Sequence, residues 1–163
     1  MPSISIVIPA YNEEANVVAA VEEVSAVAQE LDLDHEIILV NDGSRDRTGE
    51  VARTELAPRI PNFRLVEHFP NRGYGGALKA GFAAATKELI AFTAADRQFD
   101  FREITRLLGA LQPDISLVSG WRVKRQDNFI RRFNGRGWNT VVMLLFGRTI
   151  HDIDCGFKVF RRD

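Results

Sequence analysis

Two hydrophobic periods alternate along the chain. Ile4-Ser5-Ile6-Val7-Ile8 is a nearly unbroken β-branched run ending at Pro9, the pattern of a strand buried on both faces. Val17, Val21, Val24, Ala28 and Leu31 then recur at helical spacing and predict an amphipathic helix. Asn12 is its predicted N-cap, with Glu13 and Glu14 in the first turn. Glu36-Ile37-Ile38-Leu39-Val40 predicts a second buried strand that ends in Asn41-Asp42-Gly43-Ser44. Asp46 is placed to cap a helix running to about Leu56, before Pro58 and Pro61.

The alternation continues. Arg64-Leu65-Val66-Glu67 predicts a third strand, and residues 71–76 open a helix carrying Leu78, Phe82 and Ala85. Leu89-Ile90-Ala91-Phe92 reads as a buried strand that stops at small residues and then presents Asp96. Asp100 and Glu103 have capping-box spacing ahead of Ile104, Leu107, Leu108 and Leu111, so Asp100 is assigned to a helix cap. Pro113 ends that helix, and Ile115-Ser116-Leu117-Val118-Ser119 predicts another strand, ending at Gly120. A short helix is expected over 137–146. Val159-Phe160 reads as a strand cut short, which leaves open a C-terminally truncated piece of a longer product. Strands alternating with helices predict an α/β fold, a Rossmann-like, mostly parallel sheet with helices on both faces. The 163 residues suit a single domain, 1–163.

Composition narrows the functions. A net charge of -1 argues against a nucleic-acid binder, which needs a large basic excess. The lone cysteine, Cys155, excludes an internal disulfide and makes a reducing cytosol the default compartment. Met1-Pro2-Ser3-Ile4 runs straight into a strand without a signal-peptide pattern. The longest apolar stretch, 138–146, falls well short of the roughly 18 residues that a membrane span needs.

Candidate chemistry gathers at strand ends. Pro9-Ala10-Tyr11-Asn12-Glu13, Asn41-Asp42-Gly43-Ser44 and Ala94-Ala95-Asp96 each place a polar or acidic residue where ligands bind in open α/β sheets. Taken alone, Asp42-Gly43-Ser44 reads equally well as a turn. Gly73-Tyr74-Gly75-Gly76 is neither a Walker loop nor a dinucleotide fingerprint, because Leu78 stands where the third glycine would fall. Close helix-to-sheet packing is the expected reason for these glycines. After Gly120, Arg122, Lys124, Arg125, Arg131, Arg132 and Arg136 face one acid, Asp127. Such a run is either a solvated face or a set of guanidinium groups that grip phosphates. The neighbouring stripe of Trp138, Val141, Val142, Leu145 and Phe146 reads as core or as a membrane-docking surface. His35, His68 and His151 have no zinc-ligand spacing, and no serine or cysteine lies in a nucleophile motif.

Val7-Ile8-Pro9-Ala10-Tyr11-Asn12-Glu13-Glu14, Val40-Asn41-Asp42-Gly43-Ser44-Arg45-Asp46 and Asn71-Arg72-Gly73-Tyr74-Gly75-Gly76-Ala77 together resemble the family-two inverting glycosyltransferases. Within them, the likeness is to the polyprenyl-phosphate (dolichol-phosphate type) mannosyl- and glucosyltransferases. The segment 152–162 is similar to that subgroup's acceptor-side motif. The resemblance implies a GT-A nucleotide-sugar-binding fold and a hexose transferred from a nucleoside-diphosphate sugar to a polyprenyl phosphate. It implies Pro9, Tyr11, Glu13 and Asp42 around the nucleoside, and Asp96 and Gln98 at a Mg²⁺ or Mn²⁺ ion and the diphosphate. Arg122 and Arg131 would hold phosphates, and Asp152 would lie near the acceptor; these three complete the implied catalytic set with Asp96. A peripheral location at the cytoplasmic face of a membrane, or a tether of helices outside these residues, follows from the lipid acceptor.

One departure from the family pattern is plain: Ala94 stands where the first aspartate of an Asp-x-Asp is usual. An altered metal site, a metal brought mainly by the nucleotide, or an impaired nucleotide-sugar-binding module are the readings that follow. Transfer to a saccharide hydroxyl is a further alternative, and it needs a base such as Asp152 or Asp154.

Overall fold

The computed structural model describes residues 3–121, 142, 144, 147 and 155–162. Six strands form one sheet: β1 (Ile4–Ala10), β2 (His35–Asn41), β3 (Phe63–Glu67), β4 (Leu89–Phe92), β5 (Leu117–Ser119) and β6 (Lys158–Arg161), in the spatial order β3-β2-β1-β4-β6-β5. The first four strands run parallel, and β6 runs antiparallel between β4 and β5. The mostly parallel sheet expected from the alternation is therefore present.

Every residue of β1, β2 and β4 is buried, which explains their unbroken apolar runs. Successive side chains point to opposite faces. Ile4, Ile6 and Ile8 pack beneath α1 (Val17–Glu30) and α4 (Ile104–Ala110) with Phe101 and Phe157, whereas Val7, Ile38, Val40 and Phe92 pack beneath α3 (Gly73–Ala84). The predicted stripe of α1 is buried at Val17, Val21, Val24 and Ala28. On α3, Phe82 meets Phe160 edge-on at 5.1 Å between centroids and Phe92 at 5.7 Å, so one ring joins the helix to β4 and β6. The helix after β2 starts as α2 (Thr48–Val51) and widens to π-helical geometry over Ala52–Leu56.

Asp100 accepts from the Arg102 amide at 2.9 Å, so it caps the 3₁₀ turn Phe101–Glu103 ahead of α4. The Asn12 expectation is corrected. Asn16 occupies the cap position of α1 without a side-chain bond to the helix's first amides, and Asn12 has a left-handed backbone, φ 57°. That bend turns the chain out of helical geometry and directs the Asn12 Oδ1 to the Arg45 amide at 2.8 Å.

Candidate active site

The parallel strands bring their C-terminal ends to one edge, where a cleft of about 390 Å³ opens. Its walls gather Pro9, Tyr11 and Glu13 from the end of β1, Asp42 from β2 and Asp96 from the loop after β4. Five residues singled out in the sequence thus meet around one cavity. Adjacent parallel strands in register make this convergence unavoidable, since β1 lies between β2 and β4.

The loops after β1 and β2 brace each other. The Asn12 amide donates to Ser44 Oγ at 3.0 Å, and the Glu13 amide to Thr48 Oγ1 at 2.8 Å. Asp46 receives the Thr48 amide at 3.0 Å and the Glu14 amide at 3.1 Å, but its expected place as the cap of α2 is corrected: Arg47, one residue on, occupies that position. Burial raises the Asp46 pKa, but the Thr48 hydroxyl and amide and the Glu14 amide outweigh it and hold the carboxyl below its ordinary range.

Asp42 is almost wholly buried yet reaches the cleft wall. Its Oδ1 accepts from the Arg72 amide at 3.0 Å and meets His68 Nδ1 at 2.7 Å. Burial raises its pKa, and the Arg72 amide and His68 more than offset that, so the group is held ionised below its usual range. Asn71 Nδ2 donates to the Asp42 carbonyl at 2.7 Å, which draws the loop after β3 against the tip of β2. Gly43 makes that approach possible. Its φ is +70°, and a Cβ there would lie 2.7 Å from the Asn71 backbone nitrogen.

Asp96 is exposed and takes the Gln98 amide on Oδ1 at 3.2 Å. Gln98 is likewise exposed, and it touches Asp96 through its backbone rather than standing among the cleft-lining residues. Tyr74, from the first turn of α3, joins the wall, where burial, then Asp96 and Cys155, push its phenol pKa up. Its hydroxyl lies 3.9 Å from where a Cβ on Gly156 would sit.

The glycine reading needs correction. A Cβ on Gly73 or Gly75 would meet no heavy atom within 4 Å, and one on Gly76 would meet only the Arg72 side chain. Gly73 instead lines the cleft, with φ +77°. The tight helix-to-sheet approach is one turn and more further on: a Cβ on Gly81 would lie 2.3 Å from Val7 Cγ1. The sequence reading also passed over Asn71, Tyr74 and His68. Asn71 and Tyr74 stand within the segment 71–77 that carries the family resemblance, but nothing local marks His68, whose partner is 26 residues away.

Of the segment 152–162, residues 155–162 are described, and Cys155-Gly156-Phe157 reaches the same edge. Phe157 packs on Phe99 and Phe101 at 5.8 and 5.7 Å, next to the loop that carries Asp96. The Gly120 amide donates to the Phe157 carbonyl at 2.8 Å. Ser119 and Phe92 both pair with Lys158, so the chain leaves β5 toward the basic stretch at the level of the cleft. Arg122, Arg131 and Asp152 lie outside the described residues, as does most of 137–146, of which Val142 and Leu144 are helical.

Among the described residues lining the cleft, Glu13, Asp42 and Asp96 are acidic and none is basic. A diphosphate entering there meets like charge unless a cation comes with it. The described residues form no cluster of three or more metal-ligating side chains. Each of these carboxylates has one oxygen in hydrogen bonds, Asp42 Oδ1 with His68 and the Arg72 amide, Glu13 Oε2 with Asn16 at 2.8 Å and Asp96 Oδ1 with the Gln98 amide, and of the three Asp96 alone is exposed. One carboxylate completed by phosphate oxygens and water suits Mg²⁺ or Mn²⁺, whereas a metal held by protein alone needs more ligands.

A GT-A sheet with acids at the tips of its parallel strands defines the class. The chain belongs to glycosyl transferase family 2, whose description matches residues 5–163. Undecaprenyl-phosphate 4-deoxy-4-formamido-L-arabinose transferase of Aeromonas hydrophila subsp. hydrophila is 35% identical over 161 residues, 98% of this chain and 49% of that protein. The protein of the same name from Pseudomonas aeruginosa is also 35% identical, over 98% of this chain and 47% of its own length. The chain spans about half the length of these curated relatives.

Glucosyl-3-phosphoglycerate synthase from Mycobacterium tuberculosis, solved with uridine diphosphate, superposes with a TM-score of 0.74 at 23% identity, covering 99% of this chain and 57% of that one. Mannosyltransferase PcManGT from Pyrobaculum calidifontis, solved with GDP-Man and Mn²⁺, gives 0.68 at 23% identity, over 98% and 44%. At these identities the likeness speaks for the fold.

Proposed function

We propose that the chain acts over its whole length as one transferase domain, moving a hexose from a nucleoside-diphosphate sugar to a polyprenyl phosphate with inversion at the anomeric carbon. The observation that carries this reading is the meeting of Tyr11, Glu13, Asp42 and Asp96 at a single cleft beyond the parallel strands. The names of the curated relatives, undecaprenyl-phosphate sugar transferases, support the acceptor class.

Pro9, Tyr11, Glu13 and Asp42 bind the nucleoside in this proposal, and the cross-braced loops after β1 and β2 hold them in place. Asp96 holds Mg²⁺ or Mn²⁺ together with the diphosphate, and Gln98 fixes the Asp96 carboxylate through its backbone amide. The ion, when bound, offsets the negative charge that develops on the departing diphosphate. Arg122 and Arg131 add positive charge at the phosphates, and Asp152 sits on the acceptor side.

A phosphate monoester is largely dianionic at neutral pH, its second pKa being about 6, so the acceptor attacks without a protein base. The task left to the protein is to orient two anions and screen their charge. Because the acceptor is a lipid, the domain works at a membrane surface, as a peripheral protein or through parts of a longer product. No helix among the described residues is long and apolar enough to cross a membrane.

The test incubates the chain with labelled UDP- and GDP-sugars, undecaprenyl phosphate in vesicles and Mn²⁺. Formation of lipid-linked sugar by the wild type and its loss in Asp96→Asn is the expected result. Undiminished turnover in Asp96→Asn counts decisively against the reading. Sugar-nucleotide binding without transfer, rescued by Ala94→Asp, would favour an impaired binding module instead.

A further inference from the structure

We propose that His68 is a positioning residue for nucleoside recognition, its Nδ1–H holding the Asp42 carboxylate in the orientation that faces the cleft. The inference rests on the proposal that this cleft takes the nucleoside. Both side chains are nearly sealed from solvent, at 5% and 4% exposure, and their contact is 2.7 Å. His68 is not among the cleft-lining residues, so it acts on a ligand through Asp42.

The direction of the bond follows from elementary chemistry. An ionised carboxylate only accepts, so Nδ1 carries the proton and donates to Oδ1. The same oxygen takes the Arg72 amide at 3.0 Å. Two donors on one oxygen fix the rotation of the carboxylate about its Cβ–Cγ bond and set the direction of Oδ2. An ionised, acceptor-only group turned into a cleft selects for ligand N–H or O–H donors. Burial opposes that ionised form, and the Arg72 amide, His68 and the Gly73 amide favour it, so removing the His68 donor weakens both the charge and the aim.

The imidazole is dispensable for holding the loop itself. The His68 amide donates to the Asn41 carbonyl at 3.0 Å, Asn71 Nδ2 to the Asp42 carbonyl, and the Arg72 amide to Asp42, all of which survive a side-chain change at 68. Asparagine carries a donor nitrogen at the same number of bonds from Cα as Nδ1, so it can make the bond without titrating. Alanine cannot.

The experiment measures binding of UDP, GDP, CDP and ADP, each with Mn²⁺, by calorimetry for wild type, His68→Asn and His68→Ala, with melting temperatures recorded in parallel. His68→Ala is expected to raise Kd for the preferred nucleotide about tenfold or more, the scale of a lost hydrogen bond to a charged group. His68→Asn should recover most of that affinity, whatever the order of the melting temperatures. Equal affinity in wild type and His68→Ala overturns the proposal, and so does an equal loss in both variants. If the wild type binds none of the four nucleotides, the nucleoside reading of the cleft itself fails. Should His68→Ala not fold, the ¹⁵N resonance of the wild-type His68 Nδ1 supplies the readout: it should shift on saturation with nucleotide, and an unmoved resonance overturns the role.

Discussion

Arg97 Nε donates to Glu23 Oε2 across 2.8 Å, tying the loop after β4 to helix α1. Arg97 has a left-handed backbone, φ 56°, a conformation that costs a non-glycine residue on the order of 1 kcal/mol. The bend sends consecutive side chains to different places, Asp96 to the cleft and Arg97 to α1. The ion pair is half exposed at Arg97, so its direct worth to stability is under about 1 kcal/mol. Glu23→Ala, which removes the acceptor, should therefore change the melting temperature little while lowering transfer several-fold, because the Asp96 loop loses its anchor. Unaltered transfer rates would show that the loop needs no such anchor.

On the proposed reading of the cleft, Asp42 faces the nucleoside and Asp96 the diphosphate with its ion. Asp42→Asn should weaken binding of a nucleoside monophosphate about tenfold, since the amide offers a donor where an acceptor-only group stood. Asp96→Asn should leave that monophosphate affinity nearly intact and cost affinity only for the diphosphate with Mn²⁺. A calorimetric comparison of the two ligands on both variants checks the division. Identical losses for both variants would refute it.

Helix α3 can dock only where position 81 lacks a side chain. A Cβ there would fall 2.3 Å from Val7 Cγ1 and 3.1 Å from Val40 Cγ2, both branched side chains of buried strands that have nowhere to move. Gly81→Ala gains about 1 kcal/mol in helix propensity and loses roughly 1–3 kcal/mol or more to overpacking. Net destabilisation is expected, read as a lower urea midpoint, and a stabilised variant would contradict the packing described.

Glu36 lies buried at the opposite end of the sheet from the cleft, accepting from Ser5 Oγ at 2.6 Å, the Thr86 amide at 2.7 Å and Thr86 Oγ1 at 2.8 Å. Burial raises its pKa, but these bonds and Arg64 outweigh it, so the folded value is lowered. A lowered carboxylate contributes stability above its unfolded pKa and loses it as pH falls through the folded one. Asp42 and Asp46 have the same sign. Stability should thus decline as pH drops below about 4.5, and Glu36→Gln should be less stable at pH 7 with a flatter acid limb. Parallel acid limbs for the two proteins would remove Glu36 from the account.

The buried strands were readable because each is covered on both faces, which leaves continuous runs such as Ile37-Ile38-Leu39-Val40. The insertion of β6 between β4 and β5 was not, since its partners Leu89–Phe92 are over sixty residues away and four residues carry no mark of a neighbour. The α1 start was misjudged at Asn12 because the contacts that bend it come from Ser44 and Arg45. The close-packing role that the sequence suggests for the glycines of residues 73–76 belongs to Gly81, and only the opposing Val7 reveals the difference.

The order of strands and helices, and the acids at the strand tips, were settled by the amino-acid sequence, because periodicity and strand ends are properties of short windows. Tertiary structure alone decided that His68 stands behind Asp42, that Tyr74 closes the wall near Asp96, and that Arg97 leans on Glu23. Those relationships join residues distant along the chain, and a pairing across the sheet edge leaves no periodic trace in either partner's neighbourhood.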